Sequence, residues 1–427
     1  MRLPCMPGVD PFGFGLPDKD PLMRRNTLPA RAVAVAATAV VAGLPPVTSA
    51  AAADPGAAPL PPVTVLIDKA GTGSGDIFIS PNSATSHYSS GVEILSRDGK
   101  RVVWSHKVPA GQEAADFRTQ TYHGRRVLTW WQGTGLGSLA SGTDYIYNDN
   151  YQKIAEVKAG NGYTADGHEF LITPRGTALI LAYKQTTADL TSIGGSAHQK
   201  IIDGVAQEID IRTGRVLFQW SAADHVSYAQ SEQSLPSSPD TPWDWFHINA
   251  VKLDTDSNLL IDARNTWTTY KVSHRSGKVL WQLGGKASTF KEQAAPGQYL
   301  NTAGRIFSWQ HDPEPLGGGL YRWFDNESAG AANTGTGAVE ELPFSRVVTV
   351  RLDEHTHTAT LVGSVDQPDY LSASSQGNAQ TLPGGNTFVG WGSLPYVSEF
   401  SPSGKLLLKA QLPAGVNTYR AYRSTWK

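Results

Sequence analysis

The sequence predicts an all-β protein, a six-bladed β-propeller of four-stranded blades. Three observations carry this expectation. The 427 residues include 43 Gly, 27 Pro and 12 Trp but only 17% charged residues, which favours short strands joined by tight turns over helices. Six hairpin signals recur after residue 90, at 92–104, 145–154, 208–218, 270–281, 347–355 and 398–408. Each alternates apolar residues around a polar turn, often ending in Gly. A second kind of hairpin precedes most of them, as at 169–180, 250–261 and 381–389. Two hairpins make four strands, and four-stranded units repeating every 50–77 residues describe propeller blades. A row of β-sandwich domains fits less well, because no linker-like stretch divides the repeats after Pro62.

The N-terminal 53 residues read as a secretory signal peptide rather than as fold. Met23-Arg24-Arg25 begins a basic region, and Met23 is the expected true start. Ala32 to Leu44 is an apolar stretch too short for a comfortable membrane span, and the small residues from Ser49 to Ala53 suit cleavage. The arginine pair permits a twin-arginine (Tat) route, with the general secretory (Sec) route an alternative. Residues 54–62 read as a linker, and 63–427 as the propeller. The expected location is secreted or extracytoplasmic, with no transmembrane span in the mature chain. The one cysteine, Cys5, precedes the cleavage region, which leaves the mature chain no thiolate for a zinc site or a nucleophile. Net charge is −2 with no basic stripe, so nothing supports nucleic-acid binding.

In each repeat the first hairpin supplies the inner strands of a blade. A residue opening its first strand, and one closing its second, then meet at the same mouth of the central channel. The opening slots hold His168, His247, His311 and Gln380. The closing slots hold Trp130-Trp131, Tyr183, Arg264, Phe324-Asp325-Asn326 and Trp391. The mouth thus combines three imidazoles and a guanidinium within an aromatic wall. Asn249 follows His247 by two residues and faces the same side of its strand. Arginine binds oxyanions through a planar fork of donors, neutral imidazole is a nucleophile, and Trp and Tyr offer stacking surfaces. The set suits a tetrahedral anion bound beside a flat aromatic. A satisfied polar histidine is the plain alternative for each imidazole taken singly. A three-histidine metal site is another; no H-x-H or H-x-x-x-H spacing accompanies it, and Arg264 repels a cation. No metal or cofactor is therefore expected, and no Asp-rich loop argues for calcium.

Segments spread along the chain resemble the bacterial arylsulfotransferase family. They include Asp166-Gly-His-Glu-Phe170, Phe246-His-Ile-Asn-Ala-Val251, Leu260-Ile-Asp-Ala-Arg264, Val279-Leu-Trp-Gln-Leu-Gly-Gly285, Trp309-Gln-His-Asp312, Phe324-Asp-Asn326 and Tyr419-Arg-Ala-Tyr-Arg423. Each is short, and their number and order carry the resemblance. It implies a six-bladed propeller that moves a sulfuryl group from an aryl sulfate ester to a phenol, without a nucleotide sulfate donor. The absence of G-x-x-x-x-G-K-[ST] from the sequence agrees with that implication. It also implies a transiently sulfated histidine. By position the nucleophile falls on His311, its support on His168 and His247, and the arginine on Arg264. Asn249, Trp131, Tyr183, Gln380 and Trp391 are the expected substrate-contacting residues. The competing expectations are a non-catalytic secreted propeller that binds a glycan or protein partner, and an aryl sulfate hydrolase.

Overall fold

The computed structural model describes residues 58–137, 139–329 and 341–427. The expected signal peptide, Cys5 and the start of the linker lie outside the described residues. Among these described residues the regular elements are β-strands, and the helical segments are single 3-10 turns.

The first strand, β1 (Thr64–Asp68), stands apart from β2 (Asp76–Ser83), β3 (Gly91–Leu95) and β4 (Val102–Lys107). Next come β5 (Glu113–Tyr122), β6 (Arg125–Thr134), β7 (Ser141–Tyr147) and β8 (Lys153–Val157). They are followed by β9 (Thr164–Ile172), β10 (Thr177–Ala188), β11 (Gln199–Asp210) and β12 (Val216–Ser221). A fourth group is β13 (Ile248–Leu253), β14 (Leu259–Ala263), β15 (Thr268–Val272) and β16 (Val279–Gly284). Then come β17 (Lys291–Ala294), β18 (His311–Gly317), β19 (Leu320–Asp325), β20 (Arg346–Asp353) and β21 (Thr358–Asp366). The chain ends with β22 (Asn378–Thr381), β23 (Thr387–Gly390), β24 (Tyr396–Phe400), β25 (Leu406–Gln411) and β26 (Val416–Ser424).

Four-stranded antiparallel meanders are the repeating unit, as in a β-propeller. Each of the six hairpins that recur in the sequence forms the third and fourth strands of such a unit: β3–β4, β7–β8, β11–β12, β15–β16, β20–β21 and β24–β25. Two features differ from the expectation of separate four-stranded blades. Hydrogen bonding yields five sheets, of which one has eight strands, because a single Gly142–Ala165 pair joins β7 to β9. Two others have five strands, since β1 adds antiparallel to β25 and β17 adds parallel to β21.

The C-terminal strand β26 pairs with β2, as in Phe78↔Tyr422 and Ile79↔Ala421, and becomes the innermost strand of the sheet it shares with β2, β3 and β4. Both ends of the described chain are therefore stitched into sheets formed by the opposite end. Apolar side chains fill the gaps between neighbouring sheets, for example Trp220, Phe246, Val251 and Ile261 between β9–β12 and β13–β16.

The Gly142–Ala165 join has a sequence cause. The Trp131 indole lies flat against Gly142, Gly133 and Gly167, and its Nε1 donates to Ala165 O at 3.0 Å. A Cβ on Gly142 would occupy the space of the indole ring. Gly142→Ala should therefore destabilise the protein by about 1–3 kcal/mol, the usual cost of overpacking a filled core. A thermal melt of the variant coinciding with wild type would remove Trp131 from this wedge role.

Candidate active site

Three inner strands deliver the imidazoles, and each is irregular where it does so. On β9 the register slips between Ile180 and Ala182, so Asp166-Gly167-His168-Glu169 bulges away from β10. On β13 the slip leaves Asn249 unpaired, with His247 just before it at φ 53°. On β18 it falls after His311, with Asp312 at φ 54°. Bulges re-aim side chains that a regular pleat would send to alternate faces. Here they bring both a histidine and the acidic or amide residue behind it to the channel.

The imidazoles are buried and close together. The His168 and His247 rings sit 5.1 Å apart, nearly perpendicular. Tyr183 lies 6.0 Å from each of them, and the Tyr419 ring lies 5.6 Å from His168. Each Nδ1 has its own partner. His168 is held by Asp166, His247 by Asp244, and His311 by Asn326 Oδ1 at 2.7 Å. Asn326 is fixed in turn by donating to Ala373 O at 2.8 Å and Gln376 O at 3.0 Å. The Gln376 backbone N–H donates to His311 Nε2 at 3.1 Å, so Nε2 carries the ring's lone pair and Nδ1 the proton.

Arg264 occupies a single 3-10 turn at the end of β14, held by Arg264 N donating to His247 O at 3.0 Å. Its guanidinium lies over the Trp309 ring, 5.0 Å from the centroid. Nη1 donates to Asn265 Oδ1 at 2.9 Å, and Nη2 to Ala329 O at 2.6 Å and Ser374 O at 2.9 Å. A guanidinium has five N–H groups. Nε–H is buried without an acceptor among the described residues, an arrangement that suits an incoming oxyanion.

The electrostatics agree. Burial pushes His311 well below the ordinary histidine range, and the Arg264 charge pushes it further. Burial also lowers His247, against the pull of Asp244. Burial lowers Arg264 to about 10. A family model described as Arylsulfotransferase (ASST) matches residues 118–412, a span that contains His168, His247, Arg264 and His311.

The chain belongs to the arylsulfotransferase family.

No curated protein matches the chain. Among solved structures, a Bacteroides caccae protein of unknown function is similar at 12% identity and TM-score 0.45, covering 82% of this chain and 98% of its own. The Myceliophteria thermophila Cps50 (Swd1) β-propeller domain shares 9% identity at TM-score 0.38, covering 82% and 89%. A streptogramin B lyase structure shares 9% at TM-score 0.40, covering 82% and 87%.

The arylsulfotransferase fold gathers His168, His247, His311, Arg264 and Tyr183, as strand-end reasoning predicts. Four other expected contact residues are engaged elsewhere. Asn249 donates from Nδ2 to Gln310 O at 2.7 Å, and so braces the strand that carries His311. Trp131 is the wedge at the β7–β9 join. Gln380 grips the Arg423 backbone through both amide atoms, at 2.8 and 3.0 Å, in the middle of β22 rather than at its start. Trp391 packs against Phe324 and Phe400 between sheets, with Nε1 on Ser398. Counting slots from strand ends fails here because the true start of β22 is Asn378, two residues before Gln380.

Several site residues escaped the sequence reading. Asp166 precedes His168 by two and Asp244 precedes His247 by three, spacings too common to notice. The strand-end slots put Asn326 at the mouth, but its bond to His311 leaves no mark in the sequence. Below the imidazoles lies a buried ionic network. Lys252 pairs with Asp312 at 2.7 Å, Glu169 at 3.1 Å and Glu314 at 3.1 Å. Arg420 pairs with Glu169 at 3.0 Å and Asp116 at 3.3 Å, and Arg118 with Glu169 at 2.6 Å. Burial alone would raise Glu169, but Arg420, Lys252 and Arg118 hold it at about 2. Glu169 and Asp312 directly follow His168 and His311, which is the one sequence signal that marks them.

Most of the other histidines sit apart, for example His106 beside Trp104 and Trp130, and His274 on Glu208. Among the described residues no group of three or more His, Cys, Asp or Glu is placed to hold a metal ion. No helix among them is long and apolar enough to cross a membrane.

Proposed function

We propose that this arylsulfotransferase transfers a sulfuryl group from an aryl sulfate ester to a phenolic acceptor through a sulfohistidine on His311, without a nucleotide donor. One observation carries the reading. His311 is a buried, neutral imidazole with its proton fixed on Nδ1 by Asn326, so Nε2 carries the lone pair beside Arg264, capped only by the Gln376 N–H. That is the state a nitrogen nucleophile needs.

In the donor half-reaction, Nε2 attacks sulfur in line, the N–S bond forms and the S–O(aryl) bond breaks. The Gln376 N–H must leave Nε2 for this to occur, and it is then free to meet a sulfuryl oxygen. Arg264 and His168 stabilise the charge on the equatorial oxygens, and His247 stands beside them at the sulfuryl group. In the acceptor half-reaction a phenol oxygen attacks the same sulfur and the N–S bond breaks. Tyr183, its ring 6.0 Å from both His168 and His247, supplies an aromatic edge for either ring.

We count the propeller as six blades, taking β5–β8 and β9–β12 as two blades bridged by one residue pair and β26 as the inner strand of the first. We also assign an extracytoplasmic location, supported by the apolar stretch 32–44 and the small residues at 49–53. N-terminal sequencing of exported protein should begin just after that region; retention of the uncleaved chain in the cytoplasm would overturn the assignment.

The test of the reaction is a quench experiment with 4-nitrophenyl sulfate labelled in sulfur. Label should appear on wild-type protein after an alkaline quench, and a phenol chase should move it to aryl sulfate. An unlabelled protein that still turns over would sink the covalent step. Free sulfate formed in the presence of abundant phenol would make the protein a hydrolase.

A further inference from the structure

The three imidazoles differ in what holds Nδ1. Carboxylates hold two of them, Asp166 on His168 and Asp244 on His247. A neutral amide oxygen holds the third, Asn326 on His311. A carboxylate beside Nδ1–H stabilises the ring when Nε2 takes up a proton. An amide oxygen fixes the tautomer but brings no charge to offset an imidazolium. His311 is thereby set up as a lone-pair donor, and the other two as proton carriers.

The two carboxylate-backed rings are also unlike each other. Asp166 is fully buried, and the His168 side chain is 5% exposed. The Asp244 side chain is 22% exposed and that of His247 11%. Asp166 Oδ1 also accepts from the His168 backbone N–H at 2.9 Å, which locks that pair into the β9 bulge. Asp244 lies on the segment leading into β13, and its backbone oxygen is held by Asn265 Nδ2 at 2.6 Å. The second pair is the more open to water of the two, so its charge state is the easier to reset from solvent.

We propose that Asp244 and His247 form the proton-carrying pair of the transfer, with His247 Nε2 as the acid and base and Asp244 as the positioning residue. The inference rests on the sulfuryl-transfer reading above. In the donor half-reaction, His311 Nε2 takes the sulfuryl group, the departing aryl oxygen keeps the S–O electron pair, and protonated His247 gives it a proton. In the acceptor half-reaction, neutral His247 removes the proton of the second phenol as its oxygen bonds to sulfur and the N–S pair returns to His311. The enzyme ends as it began. The groups facing His247 are Asp244 from its own segment, His168 from β9, Tyr183 from β10, Arg264 from the turn after β14, and His311 from β18. Burial, His168 and Arg264 oppose the charged ring while Asp244 favours it, and a sulfate ester bound beside Arg264 adds negative charge on the side of Asp244.

The consequence is selective. A nitrophenolate leaves without help near neutral pH, whereas an unsubstituted phenolate needs a proton. Single-turnover release of the phenol should be measured for the mature protein with 4-nitrophenyl sulfate and with phenyl sulfate. Asp244→Asn should slow the nitrophenyl donor by only about threefold but the phenyl donor by on the order of 10²-fold, within the range for loss of general acid catalysis. His247→Gln should show the same divergence between donors. Asp166→Asn should slow both donors alike. Equal slowing of both donors by Asp244→Asn, or a divergence found in Asp166→Asn instead, overturns the assignment of the pair. A wild-type protein that moves no sulfuryl group from either donor instead removes the transfer reading on which the assignment rests.

Discussion

His311→Ala should abolish sulfuryl transfer, lowering kcat for 4-nitrophenyl sulfate and phenol by about 10⁴-fold or more, as loss of a covalent nucleophile does. The substitution removes Nε2 but leaves Arg264 and both carboxylate-backed histidines in place. Residual turnover should therefore form no labelled protein. His311→Asn is the companion variant, since it keeps a polar side chain in the space while lacking an imidazole lone pair. A variant as active as wild type would end the nucleophile assignment, whereas binding without turnover in both proteins would favour a propeller that only binds. The pH dependence follows from the same environment. Burial and Arg264 hold His311 well below the ordinary histidine range, so the ring stays neutral as pH falls. With 4-nitrophenyl sulfate, whose leaving group needs no proton, protein labelling should hold level as pH is lowered through about 6.5, the usual histidine value. A fall in labelling centred there would show that His311 titrates as an exposed histidine does.

Arg420→Met should cost about 3–5 kcal/mol of stability, because removing one member of a buried ionic set strands the others without compensation. Arg420 is fully buried and pairs with Asp116, Glu169 and Asp312, groups drawn from β5, β9 and β18. It sits on the last strand, so it ties the closing element of the ring to three strands of two other sheets at once. The thermal midpoint should fall by roughly 5–10 °C, given the usual relation between stability and midpoint for a large domain. The deficit should narrow in acid. Glu169 has a depressed pKa, so its stabilising contribution is present above the unfolded value of about 4.3 and is lost only as pH falls through about 2. Once the carboxylates are protonated in the variant, the missing guanidinium matters less. A variant melting with wild type at neutral pH would show that apolar contacts between sheets hold the ring without the ionic core.

Much of this architecture is legible in the sequence because blade hairpins are local. Alternation such as Val92-Glu-Ile-Leu95, a turn such as Asp98-Gly99, and a return strand are set by neighbours within about a dozen residues. All six outer hairpins carry such a local pattern. Placing His168, His247, His311 and Arg264 at one mouth also needed only local registers, applied repeatedly to equivalent slots. The same counting misplaced Gln380, because its strand begins two residues earlier, and a slip of that size changes what a side chain meets. Trp131 and Trp391 read as a wall because an aromatic at a strand end suits a cleft as well as the space between sheets. What decides between the two is the neighbouring sheet: Gly133, Gly142 and Gly167 make room for Trp131, and Phe324 meets Trp391.

The sequence by itself determined the strand repeats, the histidine slots and the family segments, since each is written in local pattern or in order along the chain. Tertiary structure alone decided what stands behind each imidazole. Asn326 reaches His311 from 15 residues away and Gln376 from 65, while Asp116 and Arg420 meet across 304. Such contacts follow from ring closure and from bulges that turn side chains toward the channel. Neither leaves a periodic trace in sequence, and both fix the charge and tautomer on which the chemistry of the site depends.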